Sequence, residues 1–208
     1  NNRIVVNYLG SLGVIDSYGA WVLRPSFEEV KVLEEAILAK KKGRYFVFGL
    51  DGVQRFSIPC DELRIDSGLI AIRQGENWGM LNRSGEYLAD PIYREVGQVG
   101  TFLYGKGEGY VSLFYADGSQ VANANHGIQD ISDEKENLYR VTIDDRIGYV
   151  DAEARLRIAN RYEDGGLLSE DRLSVKLLGR WGYVNAAEEL VIQPIYEAAM
   201  SFDQGVAV

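Results

Sequence analysis

Few side chains of this sequence could carry out covalent chemistry, and the two most reactive are Cys60 and His126. They are the single Cys and the single His of the chain. In contact, they would form a nucleophile and its base. However, both occupy one column of an internal repeat, two periods apart, so we expect each to fill a packing position. The other copies carry aromatic residues in this column: Phe27, Tyr93, Tyr162 and Tyr196. A zinc site, which needs several Cys or His ligands, is excluded.

Carboxylates are plentiful, but their placement predicts turns rather than catalysis. One column at the end of a strand reads Asp16, Asn82, Asp151 and Asn185. Some copies carry an amide at the position where others carry a carboxylate, so the position does not require a charge. Such side chains accept hydrogen bonds from the turn backbone two residues on. A glycosidase would need two carboxylates flanking a sugar, and a repeat array offers such pairs by chance.

Two further stretches could bind ions, and we interpret both as ordinary connections. The acidic residues Asp130, Asp133, Glu134 and Glu136 offer oxygen ligands for calcium. Their spacing is not that of an EF-hand, so we predict a solvated acidic loop over 130–137 and interpret Asp144-Asp145 in the same way. The Gly-rich run 105–109 lacks the Gly-Lys-Ser/Thr ending of a phosphate loop and precedes a strand. The sequence therefore predicts no catalytic, metal or cofactor-binding residue, and no cofactor.

Charge and hydropathy narrow the classes of partner. The 208 residues carry a net charge of −9, and no Lys/Arg-rich stripe interrupts this acidic average. A phosphate backbone would repel such a chain, so nucleic acid and anionic membranes are poor partners. No apolar run is long enough to span a membrane, so we expect no membrane insertion. The single Cys permits no internal disulfide.

An internal repeat positions these residues. Gly19, Gly52, Gly85 and Gly118 lie 33 residues apart. With this period, a column containing two Trp residues aligns over the whole chain: Leu12, Tyr45, Trp78, Val111, Ile147 and Trp181. We expect this column to be buried. Replacing Trp181 by Ala should then cost roughly 3 kcal/mol or more.

Each copy has the pattern of a β-meander. Asp-Gly or a similar pair between two apolar stretches is typical of a tight hairpin. The fifth and sixth copies carry Ala154 and Glu188 at the glycine position, so we expect their turns to be of a different type. A second strand ends near a proline column, and a third short strand closes the copy. Residues 31–42 have helical spacing, but the repeat register predicts a strand around Ala36–Leu38.

The predicted fold is all-β, a tandem array of about six three-stranded antiparallel repeats forming a single domain over 1–208. The approximate copies are 11–43, 44–76, 77–109, 110–145, 146–179 and 180–208, and 1–10 is the third strand of a preceding partial copy. One copy of about 33 residues cannot bury its own apolar face, so it must stack on a neighbour. An open solenoid-like stack is favoured, because a typical propeller blade needs roughly 40 or more residues. A closed, propeller-like ring is the alternative.

The clearest copy carries a family resemblance. Its sequence, Trp181-Gly-Tyr-Val-Asn with Pro194-Ile-Tyr-Glu and Gly205-Val-Ala-Val, resembles the WG-repeat proteins, which are named for the Trp-Gly pair. Residues 78–82 and 90–94 match well too, whereas Tyr45-Phe46 and Val111-Ser112 depart from the pair. The resemblance implies a bacterial protein, with an envelope or secreted location favoured, and a binding or scaffolding role. It supplies no catalytic residues.

We therefore expect a non-catalytic scaffold that binds a protein partner along an extended face. A carbohydrate-binding module for envelope or extracellular glycans is the alternative, and a glycoside-active enzyme is a weaker one. Clustered, exposed Tyr side chains would favour the glycan. The best candidates are those outside the repeat columns: Tyr8, Tyr18, Tyr87, Tyr104 and Tyr115.

Overall fold

The computed structural model describes residues 2–66, 69–121 and 127–207, without the side chain of Asp133. These residues form strands and turns. They include no helix that is long and apolar enough to cross a membrane. The predicted all-β class is confirmed.

The described strands are arranged in six antiparallel sheets, each with strands in chain order. The first sheet contains β1 (Arg3–Tyr8), β2 (Ser11–Asp16) and β3 (Trp21–Phe27). The second contains β4 (Glu29–Val32), β5 (Ala36–Lys41), β6 (Arg44–Gly49) and β7 (Gln54–Pro59). The third contains β8 (Glu62–Asp66), β9 (Leu69–Gln74), β10 (Asn77–Leu81) and β11 (Tyr87–Tyr93). The fourth contains β12 (Glu95–Val99), β13 (Phe102–Lys106) and β14 (Val111–Phe114). The fifth contains β15 (Ile128–Lys135), β16 (Leu138–Ile143), β17 (Arg146–Val150) and β18 (Leu156–Tyr162). The sixth contains β19 (Asp164–Gly165), β20 (Leu173–Leu177), β21 (Arg180–Val184) and β22 (Leu190–Tyr196).

The sheets are offset from the sequence copies and contain a strand that the repeat pattern does not predict. In the second sheet, β4 and β5 come from the first copy, while β6 and β7 come from the second. The strand β4 was not predicted, and β8, β12 and β19 occupy the same place in their sheets. Conversely, the third strand expected at the end of the sixth copy is, up to residue 207, a single bridge between Asp203 and Val206.

The chain divides into two compact units, residues 1–92 and 93–208. In the first unit, apolar side chains of the first sheet, such as Val14 and Leu23, pack with Ile37 and Phe48 of the second. In the other unit, Ile158 and Tyr162 of the fifth sheet share a cluster with Leu173 and Val184 of the sixth. Successive sheets therefore bury their apolar faces against each other within each unit.

The glycine of the Trp-Gly pair is required by a bulge in the neighbouring strand. Leu12 pairs with Phe27, and Val14 pairs with Leu23. Three residues of β3, Arg24–Ser26, therefore lie opposite the single residue Gly13 of β2. A Cβ on Gly13 would lie 2.6 Å from the carbonyl oxygen of Leu23 and 2.8 Å from the nitrogen of Pro25. Both atoms belong to the backbone, so any side chain here would force the strands apart.

The other copies show the same coupling between the glycine and the bulge. A Cβ on Gly182 would lie 2.5 Å from the carbonyl oxygen of Ile192, and the ladder is irregular there. In the second copy, Phe46 replaces the glycine, and the ladder runs through its pair with Ser57 without a bulge. The glycine of the Trp-Gly pair and the bulge at the proline column therefore form a single structural feature, in which the glycine makes room for the bulged backbone.

The hairpin turns contradict one prediction. Ala154 and Glu188 have positive φ angles of 55° and 64°. Their N–H groups donate to the carbonyl oxygens of Asp151 and Asn185, as that of Gly19 does to Asp16 in the first copy. The turn is thus the same in all three copies, and the expectation of a different type was wrong.

Side-chain contacts hold these two turns in a backbone region that glycine normally occupies. Ala154 is fully buried in an apolar cluster of the fourth and fifth sheets. Glu188 lies 2.8 Å from the guanidinium of Arg161 and accepts a hydrogen bond from the N–H of Ala159. Packing around Ala154 and the ion pair of Glu188 therefore stabilise these two turns, which lack the glycine of the other copies.

Three other predictions are settled by the strands. The register prediction at Ala36–Leu38 is confirmed by β5. The predicted acidic loop at 130–137 was wrong, because β15 runs through Lys135 and accommodates extra residues in two register shifts. The prediction that the column of Trp181 is buried holds for Val111 and Ile147, which are 6% exposed, but not for Leu12, Tyr45, Trp78 and Trp181, which are only half-buried.

Candidate functional site

Of the reactive pair, Cys60 lies in the core, and His126 lies outside the described residues. Cys60 is free, 7% exposed and packed in an apolar cluster with Ile58 and Leu63. Burial, followed by the nearby Asp61 charge, raises the pKa of its thiol to about 11. The thiolate, which is the reactive form, is therefore disfavoured, as the packing interpretation implies.

The Asx column behaves as predicted. The Asp16 carboxylate accepts hydrogen bonds from the N–H groups of Tyr18 and Ala20, and the equivalent side chains of the third, fifth and sixth copies do the same. In the second copy, Gly49 occupies the column and Asp51 accepts from Val53 instead. These carboxylates and amides thus stabilise turns.

The acidic cluster is used within the fold. Asp130 pairs with Lys106 at 2.6 Å, and Glu134 accepts a hydrogen bond from the N–H of Asn137 at 2.6 Å. In the part of the chain that the structure describes, no three His, Cys, Asp or Glu side chains are grouped so that they could hold a metal ion. The Gly-rich run ends β13 and forms a turn in which Gly107 bonds to Tyr110.

The candidate tyrosines do not form one platform. Tyr8, Tyr18 and Tyr87 are exposed, but they lie on the first and third sheets. The other two were predicted wrongly as exposed, because Tyr104 and Tyr115 are half-buried and pack against an apolar cluster. Tyr8 shares a groove with another exposed aromatic side chain, Trp21. This groove, of about 580 Å³, is also lined by Arg24.

A cleft of about 500 Å³ lies between the second and third sheets of the first unit. A recess of about 530 Å³ adjoins it and shares Glu35 and Arg83 with it. The β4–β5 connection provides Glu35, and the β10–β11 turn provides Arg83. These turns are placed side by side because the two sheets pack on each other through β5 to β10.

The floor of this cleft is apolar. Val47, Phe48 and Ile70 line it and are at most 7% exposed, and the half-buried ring of Phe56 completes it. Gly85 of the neighbouring turn fits against that ring, since a Cβ there would lie 2.5 Å from it. The floor is therefore formed by side chains of the core, and Phe56 is the most exposed of these four.

Charged side chains of both signs surround the floor. Arg55 pairs with Asp51 at 3.1 Å, and this pair lies over Gly49, whose missing side chain leaves room for it. Arg83 and Glu35 are exposed and make no hydrogen bond or ion pair with other described residues. An apolar floor with uncommitted charges of opposite sign at its margin can receive an amphipathic segment.

The sixth copy identifies the repeat. Residues 181–208 match the family model described as the WG containing repeat. The chain carries a WG repeat. The predicted resemblance to WG-repeat proteins is thus confirmed, on the copy whose Gly182 fits against a bulged strand. No curated protein matches the sequence.

Several solved structures resemble this WG-repeat chain weakly. A eukaryotic initiation factor aligns with a TM-score of 0.46 at 10% identity, over 92% of this chain and 61% of that one. Hsv2 of Kluyveromyces lactis aligns with a TM-score of 0.38 at 11% identity, over 89% and 71%. PorZ of Porphyromonas gingivalis aligns with a TM-score of 0.34 at 10% identity, over 96% and 30%.

Sequence reasoning missed the cleft entirely. Its margin is built from connections, and the repeat columns carry no signal for these. One sequence trace is that the second copy departs from the Asx column at Gly49 and carries Arg55 nearby. The equivalent of Arg83 is an uncharged residue in each of the other copies: Ser17, Leu50, Ala116, Ala152 and Ala186.

Proposed function

We propose that this WG-repeat chain is a non-catalytic scaffold that binds a protein segment in the cleft of its first unit. The observation that carries the proposal is the open apolar floor at Phe48 and Phe56, flanked by Glu35 and Arg83. Interfaces gain most of their affinity where an apolar or aromatic anchor fills a fixed pocket. Charges at the margin then set orientation and partner choice.

The charge of the chain favours a basic partner. The net charge is −9, and Glu34 and Asp66 add to Glu35 in the recess next to the floor. A segment with one apolar anchor beside a basic side chain would fill the floor and pair with Glu35. Added salt should weaken such binding, because the charges are exposed and are screened by ions.

The carboxylates with altered pKa values support a non-catalytic role. The hydroxyl and the N–H of Ser119 lower the pKa of Asp117. Partial burial by itself would raise the pKa of Asp151, but hydrogen bonds from Arg155 and Glu153 lower this pKa overall. Both residues lie in hairpin turns. A carboxyl group that acts as a general acid would need a raised pKa, whereas these two pKa values are lowered.

Selection from a random peptide display library against the whole chain would test the proposal. We expect the enriched peptides to carry an apolar residue next to Lys or Arg. Glu35→Lys should weaken their binding by up to about tenfold, as expected when an exposed ion pair becomes a repulsion. Glu35 is exposed and makes no hydrogen bond or ion pair with the described residues, so the fold should not change.

Glu76→Lys is the matched control for this charge reversal. Glu76 is also exposed, but it lies in the β9–β10 turn, at the opposite end of the strands from the cleft. Its replacement should leave peptide affinity unchanged. Equal binding to wild type and Glu35→Lys, or no enriched peptide, would contradict the proposal.

A glycan is the second candidate, favoured by the groove that Tyr8, Trp21 and Arg24 line. Aromatic faces can stack on sugar rings, and Arg24 makes no hydrogen bond or ion pair with other described residues. A glycan array should then show binding that Trp21→Ala abolishes. Tyr87→Ala, at the same repeat position of the third sheet, should not matter. An array without any hit would remove this candidate.

A further inference from the structure

The charged side chains that line the cleft leave one cation and one anion uncommitted. The cleft is lined by Glu35, Asp51, Arg55 and Arg83. Arg55 pairs with Asp51 at 3.1 Å, so these two charges neutralise each other. Glu35 and Arg83 form no ion pair with each other or with any other described residue. The margin of the apolar floor therefore presents a negative and a positive charge that remain separate.

The acidic residue of the turn that carries Arg83 is already used within that turn. The side-chain oxygen of Asn82 accepts hydrogen bonds from the N–H groups of Ser84 and Glu86. The amide nitrogen of Asn82 in return donates to the Glu86 carboxylate at 2.7 Å. These bonds fix the backbone of the turn and hold Glu86 on Asn82. The exposed guanidinium of Arg83 is therefore carried by a fixed turn and is left for a ligand.

The turn itself does not require an arginine. The second and third copies close it in the same way, with an N–H donated at 2.9 Å to the carbonyl oxygen of Gly49 and at 3.0 Å to that of Asn82. In the second copy, Leu50 stands at the position of Arg83. The same backbone thus forms without the charge, and the fold does not explain why Arg83 is there.

The two uncommitted charges define the chemistry that fits the cleft. A guanidinium presents its N–H groups in a planar fork that matches the two oxygens of a carboxylate. The carboxylate of Glu35 attracts a basic side chain instead. A ligand that uses the floor and both charges carries a carboxylate, an apolar group and a cation in close succession. The last residue of a protein chain has the first two on a single Cα, and a basic residue before it supplies the third.

We infer that the cleft binds the carboxyl-terminal end of a partner protein. The last side chain is apolar and lies on the floor at Phe48 and Phe56, the terminal carboxylate pairs with Arg83, and the preceding basic side chain pairs with Glu35. This inference rests on the proposed function and narrows it from any segment to a chain end. An internal segment offers Arg83 only neutral backbone acceptors, and hydrogen bonds between ionised groups are roughly twice as strong.

A synthetic library of tetrapeptides with free carboxyl ends, each with a carboxyl-amidated twin, tests this on the whole chain. We expect the best free acids to end in an apolar residue preceded by Lys or Arg. Amidation should weaken their binding by about three- to tenfold, as loss of an exposed, bidentate ion pair implies. Arg83→Gln should weaken the free acids by a similar factor, and amidation should then cost little more, because the variant has already lost the pair.

Arg157→Gln is the matched control, because it removes the same charge. Arg157 is exposed, makes no hydrogen bond or ion pair with other described residues and lies on β18 of the other unit. This variant should bind the free acids like the wild type.

The possible failures are distinguishable. Free acids and amides that bind equally well, with amide chemical shifts changing at the cleft, would overturn the inference and leave the proposed function standing. Free acids whose binding Arg83→Gln does not weaken would also overturn the inference. If neither half of the library binds, both the inference and the proposed function are wrong.

Discussion

Gly79→Ala probes the close approach between the glycine of the Trp-Gly pair and the neighbouring strand β11. A Cβ on Gly79 would lie 2.8 Å from both the carbonyl oxygen of Ala89 and the nitrogen of Pro91, and 3.0 Å from the carbonyl carbon of Asp90. Ordinary contact begins near 3.4 Å. The backbone must therefore move by several tenths of an ångström, because no flexible side chain can yield instead.

The cost is set by two opposing effects. Overpacking a well-packed site costs about 1–3 kcal/mol. Ala also lowers the entropy of the unfolded chain, which returns about 0.4–1 kcal/mol. The steric effect is larger, so we expect a net destabilisation of about 1–2 kcal/mol.

Urea unfolding of the whole chain would measure this loss, with Ser112→Ala as the control. Ser112 occupies the same repeat position and already has a Cβ, so its replacement should change stability by less than about 0.5 kcal/mol. A Gly79→Ala variant as stable as the wild type, or more stable, would refute the explanation of the Trp-Gly glycine.

Three further predictions concern single side chains. Cys60 should react slowly with thiol reagents in the folded protein and rapidly in urea, and equal rates would contradict its burial. Folding raises the pKa of the Cys60 thiol from 9.0 to about 11. The stability that the protonated thiol contributes should therefore be complete below pH 9 and be lost as the pH rises toward 11. Urea unfolding at several pH values should show a smaller loss of stability for Cys60→Ala. Glu188→Ala should destabilise the protein by about 1–2 kcal/mol, because the variant loses the ion pair with Arg161 and keeps the positive φ angle. Glu188→Gly should cost less, because Gly adopts that φ angle without strain. If thermal unfolding showed the reverse order, it would be evidence against strain at this turn. Asp16→Ala should cost about 1 kcal/mol by removing an acceptor for the turn N–H groups of Tyr18 and Ala20, whereas Asp16→Asn should keep an acceptor oxygen, and equal losses in urea unfolding would count against the Asx interpretation.

The sequence predicts well those features that recur in every copy. The column of Gly13, Gly79, Gly148 and Gly182 locates the central strands, because a glycine is needed wherever the neighbouring strand bulges. The register prediction at Ala36–Leu38 also holds against a local helical pattern, since pairing with β6 stabilises the strand. Repetition thus supplies information that a single segment lacks.

Features that differ between copies could not be predicted. The strand β4, with Glu29 and Lys31 on one side, has little apolar pattern and is defined by its backbone pairing with β5. The acidic stretch at Asp130 becomes a strand because β16 pairs with it and Lys106 neutralises a carboxylate. The cleft depends on how the connections at Glu35 and Arg83 meet, which only the packing of the sheets determines.

The most direct test of the scaffold proposal is to map a selected peptide on the isotope-labelled chain by amide chemical shifts. The proposal predicts that the largest changes cluster at the cleft, around Glu35, Phe56 and Arg83, and that Glu35→Lys reduces them. Changes confined to residues 93–208, or spread evenly over both units, would contradict it.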